Sequence, residues 1–214
     1  MRNAAFAFIA ALSIAACNPS APAPQAEQSS DAAFPNLASA SYRAEATITD
    51  DGGRTIPMVM IRSGAKLRME VNAPGGASTI VTNGETGESF IISNAAGRQV
   101  AMRMTNMEQF KDPASAWSAE LASSATRTGS CSAAGESGSQ WTRTENGAVK
   151  TACVSSDGIL LAATDSGRTV WETTSVERGA QSADLFDLPP GVQVLDLNNL
   201  QGMADAVRNA RGGN

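Results

Sequence analysis

The sequence predicts a mainly β protein built as one long antiparallel meander, and three observations predict it. Between Ser139 and Glu177 the chain reads as four strand-like runs separated by Asn146-Gly147, Asp157-Gly158 and Asp165-Ser166-Gly167. Asn-Gly and Asp-Gly supply residues that tolerate positive φ, which tight hairpin turns require. Earlier in the chain, Tyr42, Ala44, Ala46 and Ile48 alternate with Arg43, Glu45, Thr47 and Thr49, and Leu67, Met69 and Val71 alternate with Lys66, Arg68 and Glu70. That is the period of a strand with one face wet. A helical period appears only between Asn106 and Ser124, where Met107, Phe110, Ala114, Trp117 and Leu121 recur at three- and four-residue steps.

The first seventeen residues read as a targeting segment rather than part of the fold. Arg2 is followed by an apolar run over Ala4–Ala16 that is too short for a spanning helix. The run ends Ile14-Ala15-Ala16-Cys17 and resembles a bacterial lipoprotein signal, with Cys17 acylated as the mature N-terminus. Asn18, in place of an aspartate, resembles the default for sorting to the outer membrane. Several acyl chains would hold the protein firmly, at ~0.8 kcal/mol per buried CH₂. The expected site is therefore the periplasmic face of the outer membrane, anchored and not spanning. Residues 18–38 carry Pro19, Pro22, Pro24 and Pro35 among Ala, Ser and Gln, the composition of a disordered tether, with a short helix conceivable over Phe34–Ser39.

The β domain is expected over residues 39–197. Asp50-Asp51-Gly52-Gly53 and Ser63-Gly64 turn the first strands, and Pro57 is tolerated near a strand start or on an edge. Ser78–Thr82 and Ser89–Ser93 read as a hairpin about the Asn83–Gly87 turn, and Arg98–Met104 as a further strand. Pro113 belongs in a first helical turn, with Asp112 as its cap, so the helical stretch divides into two short helices or starts near Asp112. Set between two batches of strands, these helices would cover the open face of the sheet. Thr128–Cys131 reads as a short strand and Ser132–Gly138 as a loose loop. The meander follows as Gln140–Glu145, Val149–Ser156, Ile159–Thr164 and Arg168–Glu177. Val194–Leu197 is a last strand, and residues 198–214 hold a short helix and a frayed tail.

Composition narrows the chemistry. The formal charge is −5 and the three lysines, Lys66, Lys111 and Lys150, are scattered, which argues against nucleic acid, since phosphate binding needs clustered cations. The chain has no histidine, so it has no Ser-His-Asp or Cys-His arrangement and no His-ligated zinc. Ser63-Gly64-Ala65-Lys66 spells S-x-x-K, but that pattern works on a helix and here occupies a turn. Asp50 with Asp51, and Glu85 with Glu88, fall in Gly-rich turns where acids are solvated turn formers. No catalytic residue, metal site or cofactor is expected.

With Cys17 assigned to lipid, Cys131 and Cys153 remain as an even pair in an exported chain and are expected to form a disulfide. It would add on the order of 3 kcal/mol. Pairing across Asn146-Gly147 sets Cys153 level with Gln140, so Cys131 must fold back along the Ser132–Gly138 loop. Two strands away, its Cα would lie beyond ~7 Å and no bond would form.

The lipoprotein leader, the meander, the mid-chain helices, Lys66-Leu67-Arg68-Met69-Glu70 after a turn and the Leu185-Phe186-Asp187-Leu188-Pro189-Pro190-Gly191 close together resemble the Lol-type lipoprotein carrier and receptor superfamily, nearest its uncharacterised branch. The resemblance covers about residues 40–197. It implies a strongly curved half-barrel, partly lidded by helices, that receives an acyl chain of a lipid or lipoprotein. The protruding apolar loop of receptor-type relatives has no counterpart here, so binding is expected rather than transfer. Methionine suits a surface that accepts variable apolar shapes, although core filling is the commoner reason for it. Met58, Met60, Leu67, Met69, Phe90, Ile92, Met102 and Trp117 are the expected cavity lining. An envelope interaction protein with a filled core and a protein partner is the alternative, and an envelope hydrolase the weakest reading.

Overall fold

The computed structural model describes residues 33–95, 98–104, 117 and 123–196. The leader, most of the tether, the mid-chain helical stretch apart from Trp117 and the tail lie outside the described residues. The described chain forms twelve strands: β1 (Ser41–Thr49), β2 (Thr55–Ser63), β3 (Lys66–Ala73), β4 (Gly76–Asn83), β5 (Glu88–Ala95), β6 (Arg98–Arg103), β7 (Thr126–Ala133), β8 (Glu136–Glu145), β9 (Ala148–Val154), β10 (Leu160–Asp165), β11 (Arg168–Arg178) and β12 (Gln193–Asp196). All belong to one open sheet in the order β12-β6-β5-β4-β3-β2-β1-β11-β10-β9-β8-β7. Every pairing is antiparallel except β12 with β6, which is parallel.

The order is two meanders joined at their first and last strands. β1 to β6 run out to one side, and β7 to β11 run back from the far edge until β11 lies against β1. The turn dipeptides enforce the second meander locally. Asn146 and Gly147 have φ of 50° and 81°, and Ser166 and Gly167 of 53° and 80°, the double left-handed turn that matches strand twist. Pro57 is accommodated because the β2–β3 pairing begins at Met58.

The two faces of the sheet carry separate cores. On one, the tryptophan face, Tyr42, Ala44, Met58, Met60, Leu67, Met69 and Ile80 pack in one cluster with Trp117, Trp141, Leu161 and Trp171. The Tyr42 hydroxyl donates to the Met60 sulfur at 3.1 Å inside it. On the other face, Ile61, Val81, Phe90, Ile92 and Ala101 pack against Phe186, with Leu185, Leu188 and Val192 beside it. The Leu-Phe-Asp-Leu-Pro-Pro-Gly segment, opening with a 3₁₀ turn at Ala183–Phe186, is thus a strap over this face. Arg68 fastens it by donating from a guanidinium nitrogen to the Leu185 carbonyl at 3.1 Å.

Four local readings need correcting. Ser132–Gly138 is no loose loop: β7 and β8 meet at a tight turn in which Ala134 and Gly135 take φ of 54° and 74°. Asn36–Ser39 is a turn and not a helix. Phe34 and Leu37, assigned to the tether, pack into the tryptophan-face core. The last strand departs from an antiparallel meander by adding in parallel at the β6 edge.

The Cys131–Cys153 disulfide is present, with Cα atoms 5.9 Å apart, yet by a route the simple geometry forbids. Cys131 pairs with Gly138, and Cys153 with Gln140, so the bond joins β7 to β9 with β8 between them. Residues opposite one another share a side, so Cys131, Gly138, Gln140 and Cys153 lie on one side of the three strands, and Cys153 is buried in the same core cluster as the tryptophans. Gly138 opens the way. A Cβ there would stand 3.3 Å from the Cys131 sulfur and 2.7 Å from the Val154 carbonyl oxygen. Without that side chain the strands bend toward each other, and β7 comes close to β9 as well as β8.

Candidate functional site

Cross-strand register builds the site. Ile48, Trp171, Ala163, Ala152 and Trp141 oppose one another in sequence across β1, β11, β10, β9 and β8, forming one row on the tryptophan face. Two residues along the strands, Arg143 opposes Lys150 and Lys150 opposes Asp165. A row of apolar groups therefore runs beside a row of charges on the same face.

A pocket of about 260 Å³ opens between these rows. Ile48, Trp117, Leu160, Ala163, Val170 and Trp171 form its apolar wall, and Thr49, Arg143, Lys150, Thr164 and Asp165 its polar end. Trp171 is fixed by its indole N–H, which donates to Thr173 Oγ1 at 3.0 Å and to the Leu160 carbonyl at 3.3 Å. Thr173 in turn donates to the same carbonyl at 2.7 Å. Phe34 stacks on Trp117 with centroids 5.4 Å apart and meets Trp141 edge-on at 5.1 Å. The N-terminal segment thus holds one side of the aromatic cluster.

The polar end is an ion-pair chain. Arg143, with its side chain 3% exposed, pairs with Glu145 at 3.1 Å. Lys150 reaches Glu145 at 3.4 Å and Asp165 at 3.0 Å. The Arg143 guanidinium also lies over the Trp117 ring, 5.0 Å from its centroid, a favourable cation–π placement. The Arg143 charge is the main cause of a lowered pKa at Glu145. The hydrogen bond from Lys150 lowers that of Asp165 and raises that of Lys150 itself. The Glu145 and Asp165 carboxylates and the Lys150 ammonium are therefore held in their charged forms near neutrality.

Of the eight residues expected to line a cavity, only Trp117 lines this one. Met58, Met60, Leu67 and Met69 are buried on the tryptophan face within its core cluster. Met102 shares their face, opposite the half-buried Ile91. Phe90 and Ile92 sit on the other face beneath the strap. The run Phe90-Ile91-Ile92 does not alternate, and register assigns Ile91 to the tryptophan face.

The weaker chemical candidates resolve into turn and strand structure. Ser63 and Lys66 are the cross-strand pair that closes the β2–β3 hairpin. Asp50 pairs with Arg54, Asp51 with Arg168 and Glu88 with Arg103. Among the described residues no cluster of three or more metal-ligating side chains occurs, and no helix is long and apolar enough to cross a membrane.

No family model and no curated protein sequence matches the chain. Among solved structures it is similar to an uncharacterized conserved protein from Thermus thermophilus. That match has a TM-score of 0.51 at 13% identity and covers 75% of this chain and 92% of that one. It shows a shared fold. More distant similarities are to MucB in complex with MucA(peri), with a TM-score of 0.48 at 16% identity over 73% of this chain, and to PNGF-II, with 0.47 at 13% over 77%. The aligned region spans 57% of MucB and 32% of PNGF-II.

Proposed function

We propose that the chain is an envelope lipoprotein of the Lol-like kind, held by acyl chains on Cys17 at the periplasmic face of the outer membrane, whose sheet binds a hydrophobic ligand without catalysing a reaction. The observation that carries the binding reading is the pocket walled by Trp117, Ala163, Val170 and Trp171. At about 260 Å³ it falls just below the ~300–1,000 Å³ of sites for drug-sized ligands. It suits one chain or one chain end rather than the several acyl chains of a lipoprotein. Met58, Met60, Leu67 and Met69 are buried in the core, and the pocket beside Trp171 is where we place the ligand.

Native mass spectrometry of the full chain carrying Cys17→Ser tests the binding. A stoichiometric lipid adduct, lost in Ala163→Phe, supports it; an apo mass that stays unchanged after lipid is added refutes it. Palmitate labelling tests the anchor separately: label is expected on the unmodified chain and none on Cys17→Ser. If no lipid binds, the second reading, a structural protein with a protein partner, takes its place.

A further inference from the structure

We propose that Phe34–Ser39 is a latch on the pocket: Phe34 positions the wall residue Trp117, so that filling the pocket and docking this segment favour each other. This rests on reading the pocket as a hydrophobic binding site, and it couples that site to the point where the chain enters the domain.

The contact is direct. Phe34 lies parallel to Trp117, with ring planes 6° apart and centroids 5.4 Å apart. Trp117 lines the pocket and Phe34 does not, so the phenyl ring backs the wall rather than filling the space. Its edge-on contact with Trp141 at 5.1 Å fixes Phe34 against a second buried indole.

The segment is separable from the sheet. Among the described residues its hydrogen bonds are internal. The Ser39 N–H and hydroxyl donate to the Asn36 carbonyl at 3.3 and 2.8 Å, and the Ala38 N–H donates to Asn36 Oδ1 at 2.9 Å. The β1 ladder begins only at Ser41. Packing is what docks the segment: the half-buried Phe34 ring, the buried Leu37 side chain and the Asn36 carbonyl seated against Gly158, which has no Cβ to obstruct it. It can therefore leave without breaking a strand pairing, as a segment of low local stability does.

Linkage makes the coupling reciprocal. A ligand that packs on Trp117 binds less tightly once Phe34 has left, and it must stabilise the docked segment by the same factor. In a chain anchored through Cys17, release of residues 34–39 adds about 20 Å to the reach of the tether. Pocket occupancy would then draw the domain closer to the membrane.

The test is calorimetric titration of the full chain carrying Cys17→Ser with octan-1-ol, an uncharged single-chain probe. Hydrogen exchange is read in parallel at Ala38 and Ser39, whose N–H groups are bonded inside the docked turn. Octan-1-ol should bind the parent chain and be lost in Ala163→Phe, which separates the pocket from the apolar leader. Phe34→Ala should weaken binding about five- to tenfold, the strength of one aromatic pair. Phe34→Tyr, which keeps the ring, should bind like the parent. Gly158→Ala should also weaken binding, although Gly158 lies outside the pocket lining, because a Cβ there displaces the Asn36 carbonyl. In the reverse direction, saturating octan-1-ol should slow exchange at Ala38 and Ser39 by about the same factor, a measurement on the parent chain that needs no core variant. Unchanged affinity in both Phe34→Ala and Gly158→Ala, or exchange that octan-1-ol leaves unslowed, overturns the latch and leaves the pocket standing. If octan-1-ol does not bind the parent chain, the pocket reading falls and the latch with it.

Discussion

Reducing the Cys131–Cys153 bond should destabilise the domain by an amount its loop length predicts. The bond spans 22 residues of chain. Loop-closure entropy for that length is about 11 cal/mol/K, or about 3.4 kcal/mol at 25 °C. In a domain of this size each kcal/mol moves the midpoint by about 2–4 °C, so the fall in Tm should be about 7–14 °C. Differential scanning calorimetry of the oxidised chain, the reduced chain and Cys131→Ala/Cys153→Ala measures it, with thiol titration confirming that the native protein has no free pair. Because the bond crosses β8 over Gly138, Gly138→Ala should also destabilise the oxidised protein, its Cβ being 2.7 Å from the Val154 oxygen. A midpoint unmoved by reduction, or two thiols titrating in the native state, would refute the three-strand geometry.

Gly158 takes φ of +84°, and a Cβ on it would collide with the Asn36 carbonyl, lying 3.0 Å from its carbon. Gly158→Ala should cost about 2–4 kcal/mol and loosen the Phe34–Leu37 segment, seen as faster hydrogen exchange at Leu37. Phe186→Ala removes the anchor of the strap, 7% exposed, and should cost about 3–5 kcal/mol in urea unfolding with faster exchange in β5 and β6. Acid should unfold the protein through its paired carboxylates. Asp157 is held below its ordinary 3.8 chiefly by the Arg178 hydrogen bond, and Asp165 and Glu145 are lowered by Lys150 and Arg143. A depressed folded pKa stabilises above the unfolded value and is lost as pH falls through the folded one. Tm should therefore stay level down to about pH 4.5 and drop below it, with a shallower acid slope in Arg178→Ala.

Strand positions were legible because each is bounded by a turn dipeptide and carries a period of two. The four runs of the second meander, for instance, match β8 to β11 within a few residues at each end. The closure of β11 on β1 was not, since no local signal says which strands of two meanders become neighbours. The β7–β8 turn was hidden because Ala134 takes a left-handed φ without Asn or Asp to advertise it. Cysteine count yielded the disulfide, but flat-sheet distances misled about its path, and Gly138 looked like loop filler. At the site, Arg143 carries no sequence signal of its own, Lys150 reads only as one of three scattered lysines, and Asp165 as part of a turn. Their alignment was nonetheless within reach: a two-residue Asn146-Gly147 turn fixes Arg143 opposite Lys150. The methionines Met58, Met60 and Met69 carry the stronger sequence signal, and they are buried in the core away from this pocket.

The most direct measurement of the ligand-binding account is intrinsic tryptophan fluorescence of the full chain carrying Cys17→Ser, titrated with a bromine-tagged fatty chain. All three tryptophans belong to the same core cluster, and Trp117 and Trp171 line the pocket. Bound chain therefore lies within contact quenching distance of two emitters. The account predicts saturable quenching with one chain per molecule, lost in Ala163→Phe. Quenching that never saturates, or that is unchanged by Ala163→Phe, would contradict it.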